Sequence, residues 1–165
     1  MASRPVRLLG DPVLRQRCDP VTHVDGTTDD LVANLIATVD GSNGLGLAAP
    51  QIGVLKRVVF INVDEPWLLV NPEITWMSPE KMVVWDACLS YLTIFFQVSK
   101  AKKIRVRYQN LDREMKEIEA EDSLSELLQH EIDHLDGILA IDRVLDNRKI
   151  ITREEYEKRF GPPKI

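Results

Sequence analysis

Residues 129 to 137 read "QHEIDHLDG", with His130 and His134 four apart and Glu131 beside the first. On a helix of 3.6 residues per turn, both imidazoles project from one face and the carboxylate stands one position round from them. Two neutral imidazoles at that spacing suit a divalent metal, and the glutamate can take the proton of a water that the metal activates. The chain has three histidines and two of them fall here. The HExxH pattern therefore reads as a metal site rather than as two incidental side chains.

A hydrolytic site of this kind needs a third protein ligand. "HEIDHLDGILA" runs through most of the longer metzincin-protease pattern, but Ala140 stands at the last ligand position and cannot bind a metal. Glu154, Glu155 and Glu157 could serve a thermolysin-like zinc protease, although nothing in the sequence singles one out. Cys88, 42 residues upstream of His130 at a strand or strand end, offers a soft thiolate. A small buried thiol would suit the same position. Cys18 and Cys88 could in principle pair, but a reducing compartment favours free thiols.

The stretch "NGLGLAAPQ", residues 43 to 51, lacks the spacing of a dinucleotide fingerprint and has no Walker Lys-Ser/Thr, so phosphate cradling is weak here. Gly44 and Gly46 would let another backbone come close, as an extended peptide ligand requires, though tight turning explains them as well. Gln51 ends the loop with an amide that can donate to a developing oxyanion.

These side chains need a frame. With 165 residues and 44% hydrophobic content, the chain suits one domain, residues 1–165, with residues 145–165 as a peripheral C-terminal segment. A net charge of −5, with basic residues scattered among acids, argues against a nucleic-acid interface. Without a secretory signal or a run of roughly 18 apolar residues, the expectation is a cytoplasmic protein with no membrane span. Apolar spacing predicts an amphipathic helix over 28–40, short strands over 56–63 and 67–72, and a third apolar segment at "EKMVVWDACLSY". Alternation from Ile104 through Ile118 predicts a hairpin. A helical period returns over 123–137, where Ser123 and Glu126 match a capping box and Gly137 is placed to end the helix. "ITREEYEKRF" predicts a short last helix before "GPP". The fold class expected is α+β, with antiparallel sheets packed around a central HExxH helix.

Taken together, "GLGLAAPQ", "DACLS" and "QHEIDHLDG" resemble the three motifs of the peptide deformylase family, GxGxAAxQ, EGCLS and HExxH, in the family's order. The N-terminal "LLGDPVLRQRCDPV" is similar to the family's opening segment, and the resemblance covers most of the chain. It implies that Cys88, His130 and His134 hold Fe(II), with Zn(II), Ni(II) or Co(II) as other occupants. It also implies Glu131 as the proton-transfer residue, the Gln51 side chain and Leu89 N–H as oxyanion donors, and substrate binding at Gly44, Leu45 and Gly46. The implied reaction is hydrolysis of the N-formyl group from the initiator methionine of newly made polypeptides, releasing formate. Partners would be N-formylated nascent chains and the ribosome near its exit tunnel.

Several residues depart from the family pattern. Asp86 is one methylene shorter than the usual Glu, and Ala87 replaces Gly. After "CLS" the chain reads "YLTIFFQVSKAKK", an apolar loop without a solvated face. An ungapped comparison puts Phe95 where the family often has an Arg near substrate, and Lys100 where another Arg often pairs with the equivalent of Asp133. Lysine could pair with Asp133 only as a point charge, without a bidentate fork. Ser123 and Glu126 fall where family members commonly line the methionine pocket with apolar side chains. Either both serve the capping box, or the pocket is more polar and takes another N-formylated compound.

Overall fold

The computed structural model describes residues 3–42 and 44–163; Asn43, the first residue of the glycine loop, lies outside the described residues. After a 3-10 turn at Pro12–Arg15 comes helix α1 (Gly26–Asp40), then strands β1 (Gly46–Ala48), β2 (Val58–Ile61), β3 (Trp67–Met77), β4 (Lys81–Asp86) and β5 (Ile94–Ala101). A hairpin of β6 (Lys103–Gln109) and β7 (Met115–Glu121) feeds helix α2 (Asp122–His134), and the chain closes with β8 (Ile151–Thr152) and helix α3 (Arg153–Phe160). Strands β1-β2-β3-β6-β7 form one antiparallel sheet and β4-β5-β8 a second. The fold is α+β, as the patterning implies.

Strand β2 explains why the layers stack as they do. Its four residues, "VVFI", are all buried because both faces of the sheet are covered. Val58 and Phe60 meet Leu31, Leu35 and Val39 of α1, whereas Val59 and Ile61 meet Leu128 and Ile132 of α2. Each buried aliphatic side chain contributes roughly 1.5–3 kcal/mol, so the sheet fixes α2 by its apolar face and leaves the histidine face to the second sheet. Helix α1 begins at Gly26, two residues before the expected start, because Asp25 caps it by accepting from the Thr27 and Thr28 amides.

Two expectations fail here. "YLTIFFQVSKAKK" is not a loop: Ile94–Ala101 forms β5, paired with β4 on one side and β8 on the other. Its apolar residues do not alternate cleanly because side chains on both faces are covered, which removes the period-2 signal. The capping box is also absent. Strand β7 runs directly into α2, whose N-cap is Glu121, with no side-chain capping bond. Asp122 turns the chain with φ +52°, so Ser123 is already inside the helix and not at the extended cap position a hydroxyl needs.

Helix α2 is held by other means. The Gln129 amide clasps the end of β5, accepting from Ala101 N–H at 3.0 Å and donating to Ala101 O at 2.9 Å. The Ser125 hydroxyl donates to the same carbonyl at 2.8 Å. At the far end Gly137 has φ +71°, and a Cβ there would lie 2.5 Å from Arg15 O. The helix therefore ends in the left-handed residue anticipated, packed against the N-terminal turn.

Candidate metal centre

Cys88 lies just past the end of β4, and α2 presents His130 and His134 to it. Cys88 Sγ is 3.3 Å from His134 Nε2, and one ligand atom from each of the three buried residues lies within 4.8 Å of the others. Metal–sulfur and metal–nitrogen bonds of about 2.3 and 2.0 Å at tetrahedral angles put their donor atoms about 3.5 Å apart. The donor set and its spacing thus fit one metal ion. Among the described residues no tail glutamate joins this group; Glu155 and Glu157 pair with Lys158 and Arg153 on α3. Both cysteines are free, and Cys18 is a core thiol whose pKa burial pushes up to about 11.

Asp86 orients the first histidine. His130 Nδ1 donates to Asp86 Oδ1 at 2.8 Å, which leaves Nε2 for a metal. Burial works against the Asp86 carboxylate, but His130 and Lys100 outweigh it and hold its pKa below the ordinary value. Lys100, itself buried, lies 3.5 Å from Asp86 Oδ2. The pairing of Lys100 with Asp133 is therefore corrected. Arg143 takes Asp133 in a bidentate fork at 2.8 and 2.9 Å. The reason is directional: Lys100 points inward from β5 under Asp86, while Asp133, in the last turn of α2, meets Arg143 from the segment that follows the helix.

Glu131 is buried beside the cluster, and its Oε2 has no hydrogen-bond partner among the described residues. Burial pushes its carboxyl up to about 7; His130 works against this and Asp86 adds to it, both to a lesser degree. A carboxyl so placed can both accept and return a proton near neutral pH. Gly46 makes the room for it, since a Cβ at that position would stand 2.9 Å from Glu131 Oε1.

Gln51 is aimed by its own loop. Its Oε1 accepts from Ala48 N–H at 2.8 Å, which turns the amide nitrogen toward Cys88 Sγ at 3.4 Å and Ser90 Oγ at 3.3 Å. Leu89 lines the same cavity and is buried. Strand β1 is the edge of its sheet. Asn62 N–H donates to Leu45 O, and the antiparallel alternation then turns the Gly46 N–H and C=O away from β2, toward the cavity. Leu45 and Gly46 line that cavity; Gly44 instead packs behind it, where a Cβ would lie 2.9 Å from a Leu89 methyl.

The cavity measures about 510 Å³. Buried Cys88, His130, Glu131, Gln51 and Phe95 line it together with the more exposed Ser123, Glu126 and Tyr156. Phe95 is buried and stacks on Tyr156 with ring centroids 4.2 Å apart. Sequence reasoning missed Ser125, Gln129, Arg143 and Tyr156. Polar residues at i and i+4 on an otherwise apolar helix face could have marked the first two; nothing local marks Arg143 or Tyr156.

Known proteins share this chain's sequence and fold. A family model described as polypeptide deformylase matches residues 3–149. The chain is 40% identical to a peptide deformylase of Bartonella tribocorum, over 96% of this chain and 94% of that one. A Thermotoga neapolitana peptide deformylase is likewise 40% identical, over 90% of this chain and 92% of its own. The crystal structure of the Thermotoga maritima peptide deformylase superposes with a TM-score of 0.86 at 39% identity, covering 88% of this chain and 100% of that one. A Met-Ala-Ser bound crystal structure of the class I type b peptide deformylase from Acinetobacter baumannii gives 0.83 at 30% identity, over 87% of this chain and 99% of that one.

Proposed function

The chain belongs to the peptide deformylase family, and from that premise we propose that Cys88, His130 and His134 hold its metal while Glu131, Gln51 and Leu89 carry the proton and oxyanion chemistry. It is a hydrolase that removes the N-formyl group from the N-terminal methionine of newly made polypeptides. The observation that carries the assignment of roles is the convergence of three distant motifs on one cavity, with Cys88 Sγ 3.3 Å from His134 Nε2.

A divalent metal bound there supplies Lewis acidity and makes water a nucleophile near neutral pH. The residues do the rest. Glu131 removes a proton from the attacking water and returns it to the departing amine, so formate and a free N-terminus leave without net proton change at the carboxyl. The Gln51 amide, fixed by Ala48 N–H, and the Leu89 N–H stabilise the oxyanion that forms on the formyl carbon. Asp86 keeps His130 in one tautomer. The backbone of the formylated chain adds to the free edge of β1 at Gly46, with Leu45 beside it and Gly44 shaping the turn before it. The Met-Ala-Ser bound structure of the Acinetobacter baumannii relative supports a peptide as the ligand.

We take the metal as Fe(II), with Zn(II), Ni(II) and Co(II) able to replace it; two imidazoles and a thiolate suit all four. Among the described residues, no helix is long and apolar enough to cross a membrane. We place its work in the cytoplasm, beside the ribosome where formylated chains emerge, with residues 1–165 acting as one domain. The test is anaerobic formate release from formyl-Met-Ala-Ser with metal analysis of the same sample. Stoichiometric formate with internal peptide bonds intact, lost together with the metal in Cys88→Ser, is expected. Cleavage of internal bonds, or full metal retention in Cys88→Ser, would overturn the assignment.

A further inference from the structure

Glu126 is the one acidic side chain of the cavity that the reaction leaves unused. It stands four residues before His130, so it shares that residue's helix face about 6 Å away, and it is the more exposed of the two. The first side chain of a formylated peptide branches two bonds from the formyl carbon. A formyl group beside His130 and Cys88 therefore brings that side chain into the part of the cavity that Glu126 lines.

The carboxylate is half-buried and no hydrogen bond anchors it among the described residues; burial, then the nearby Asp86 charge, pushes its pKa up to about 7. Lys100, whose charge acts on Glu126, is committed to Asp86 at 3.5 Å. Two carboxylates thus share one ammonium at this end of the cavity, leaving an excess of negative charge. The same cavity is lined by Trp85, Phe95 and Tyr156, with Tyr156 stacked on Phe95 and edge-on to Trp85, as well as by Leu124 and Leu127. A carboxylate in a cavity that rings help to line is an environment that favours a cation.

We propose that Glu126 is a specificity-determining residue that extends this deformylase from methionine to formylated chains whose first side chain is cationic. The inference rests on the deformylase reading and deepens it. The ion pair forms in a partly solvated pocket, so its effect is one of selectivity and is screened by salt.

The test compares kcat/KM for Nα-formyl-Lys-Ala-Ser and formyl-Met-Ala-Ser in the metal-loaded wild type, Glu126→Leu and the near-isosteric Glu126→Gln. The Lys-to-Met ratio should fall roughly tenfold in Glu126→Leu and partway in Glu126→Gln. In the wild type, added salt should raise KM for the lysyl peptide alone. A ratio unchanged in both variants overturns this inference while leaving the deformylase reading intact. The Gln variant carries the test if Leu disturbs the helix. Formate release from neither peptide in the wild type overturns both readings.

Discussion

His130 and Glu126 stand one helical turn apart on the same face of α2, yet their surroundings are opposite. His130 is buried, hydrogen-bonded to Asp86, and backed by a lysine already paired. Glu126 is half-buried, has no hydrogen-bond partner among the described residues, and lines a cavity with both aromatic and aliphatic side chains. The inner turn is over-determined: removing any one group strands another in a place water cannot repair. The outer turn is under-determined, and the partner it lacks can come from a ligand. Chemistry sits where geometry is fixed, and selectivity where a side chain can change without collapse of the site.

The largest effect should come from the inner region. Glu131→Gln keeps shape and hydrogen-bonding capacity but removes the proton acceptor, so kcat should drop roughly 100- to 10,000-fold with metal content unchanged. Near-normal turnover would remove Glu131 from proton transfer. Next, Gln51→Ala should lower kcat roughly 10- to 1,000-fold, again with metal retained. Because Gln51 also contacts Cys88 Sγ, loss of metal in this variant would recast it as a support for the thiolate.

Asp86→Asn tests whether the inner turn depends on its second layer. Metal affinity should weaken roughly 10- to 100-fold, read by competition with a chelator, because the His130 tautomer is no longer enforced and Lys100 loses its partner. Unaltered affinity would mean that packing alone holds His130.

The smallest effect belongs to the outer turn and has a definite sign. The folded protein holds the Glu126 proton up to about pH 7, whereas the ordinary value is 4.5. Between those values the folded state binds more protons than the unfolded one, so this group erodes stability as pH rises. Glu126→Leu should therefore stabilise the protein at pH 8 by about 1 kcal/mol after allowance for solvent screening. The gain should shrink toward pH 4.5, as thermal melts at the two pH values would reveal. A pH-independent gain would assign the effect to apolar packing instead.

Much of the site was legible in the chain because its chemistry is local. Helical spacing alone puts His130, Glu131 and His134 on one side of α2; α1 and the β6–β7 hairpin announce their elements through regular apolar periods, and β2 through a short unbroken apolar run bounded by turn residues. Strand β5 escaped because a strand covered on both faces has no period to read. The capping box was a false signal because Ser123 and Glu126 satisfy a pattern whose meaning depends on where the helix starts, and β7 continues to Glu121.

The sequence by itself determined the metal helix, the candidate donors and the family motifs, since each is written in spacings of a few residues. Tertiary structure alone decided which partners those groups meet. It gave Lys100 to Asp86 and Asp133 to Arg143, brought Tyr156 from α3 onto Phe95, and turned Glu126 into the cavity. Such pairings join residues far apart in the chain by packing and charge within a closed volume, and no short-range pattern encodes which of several compatible partners will arrive there.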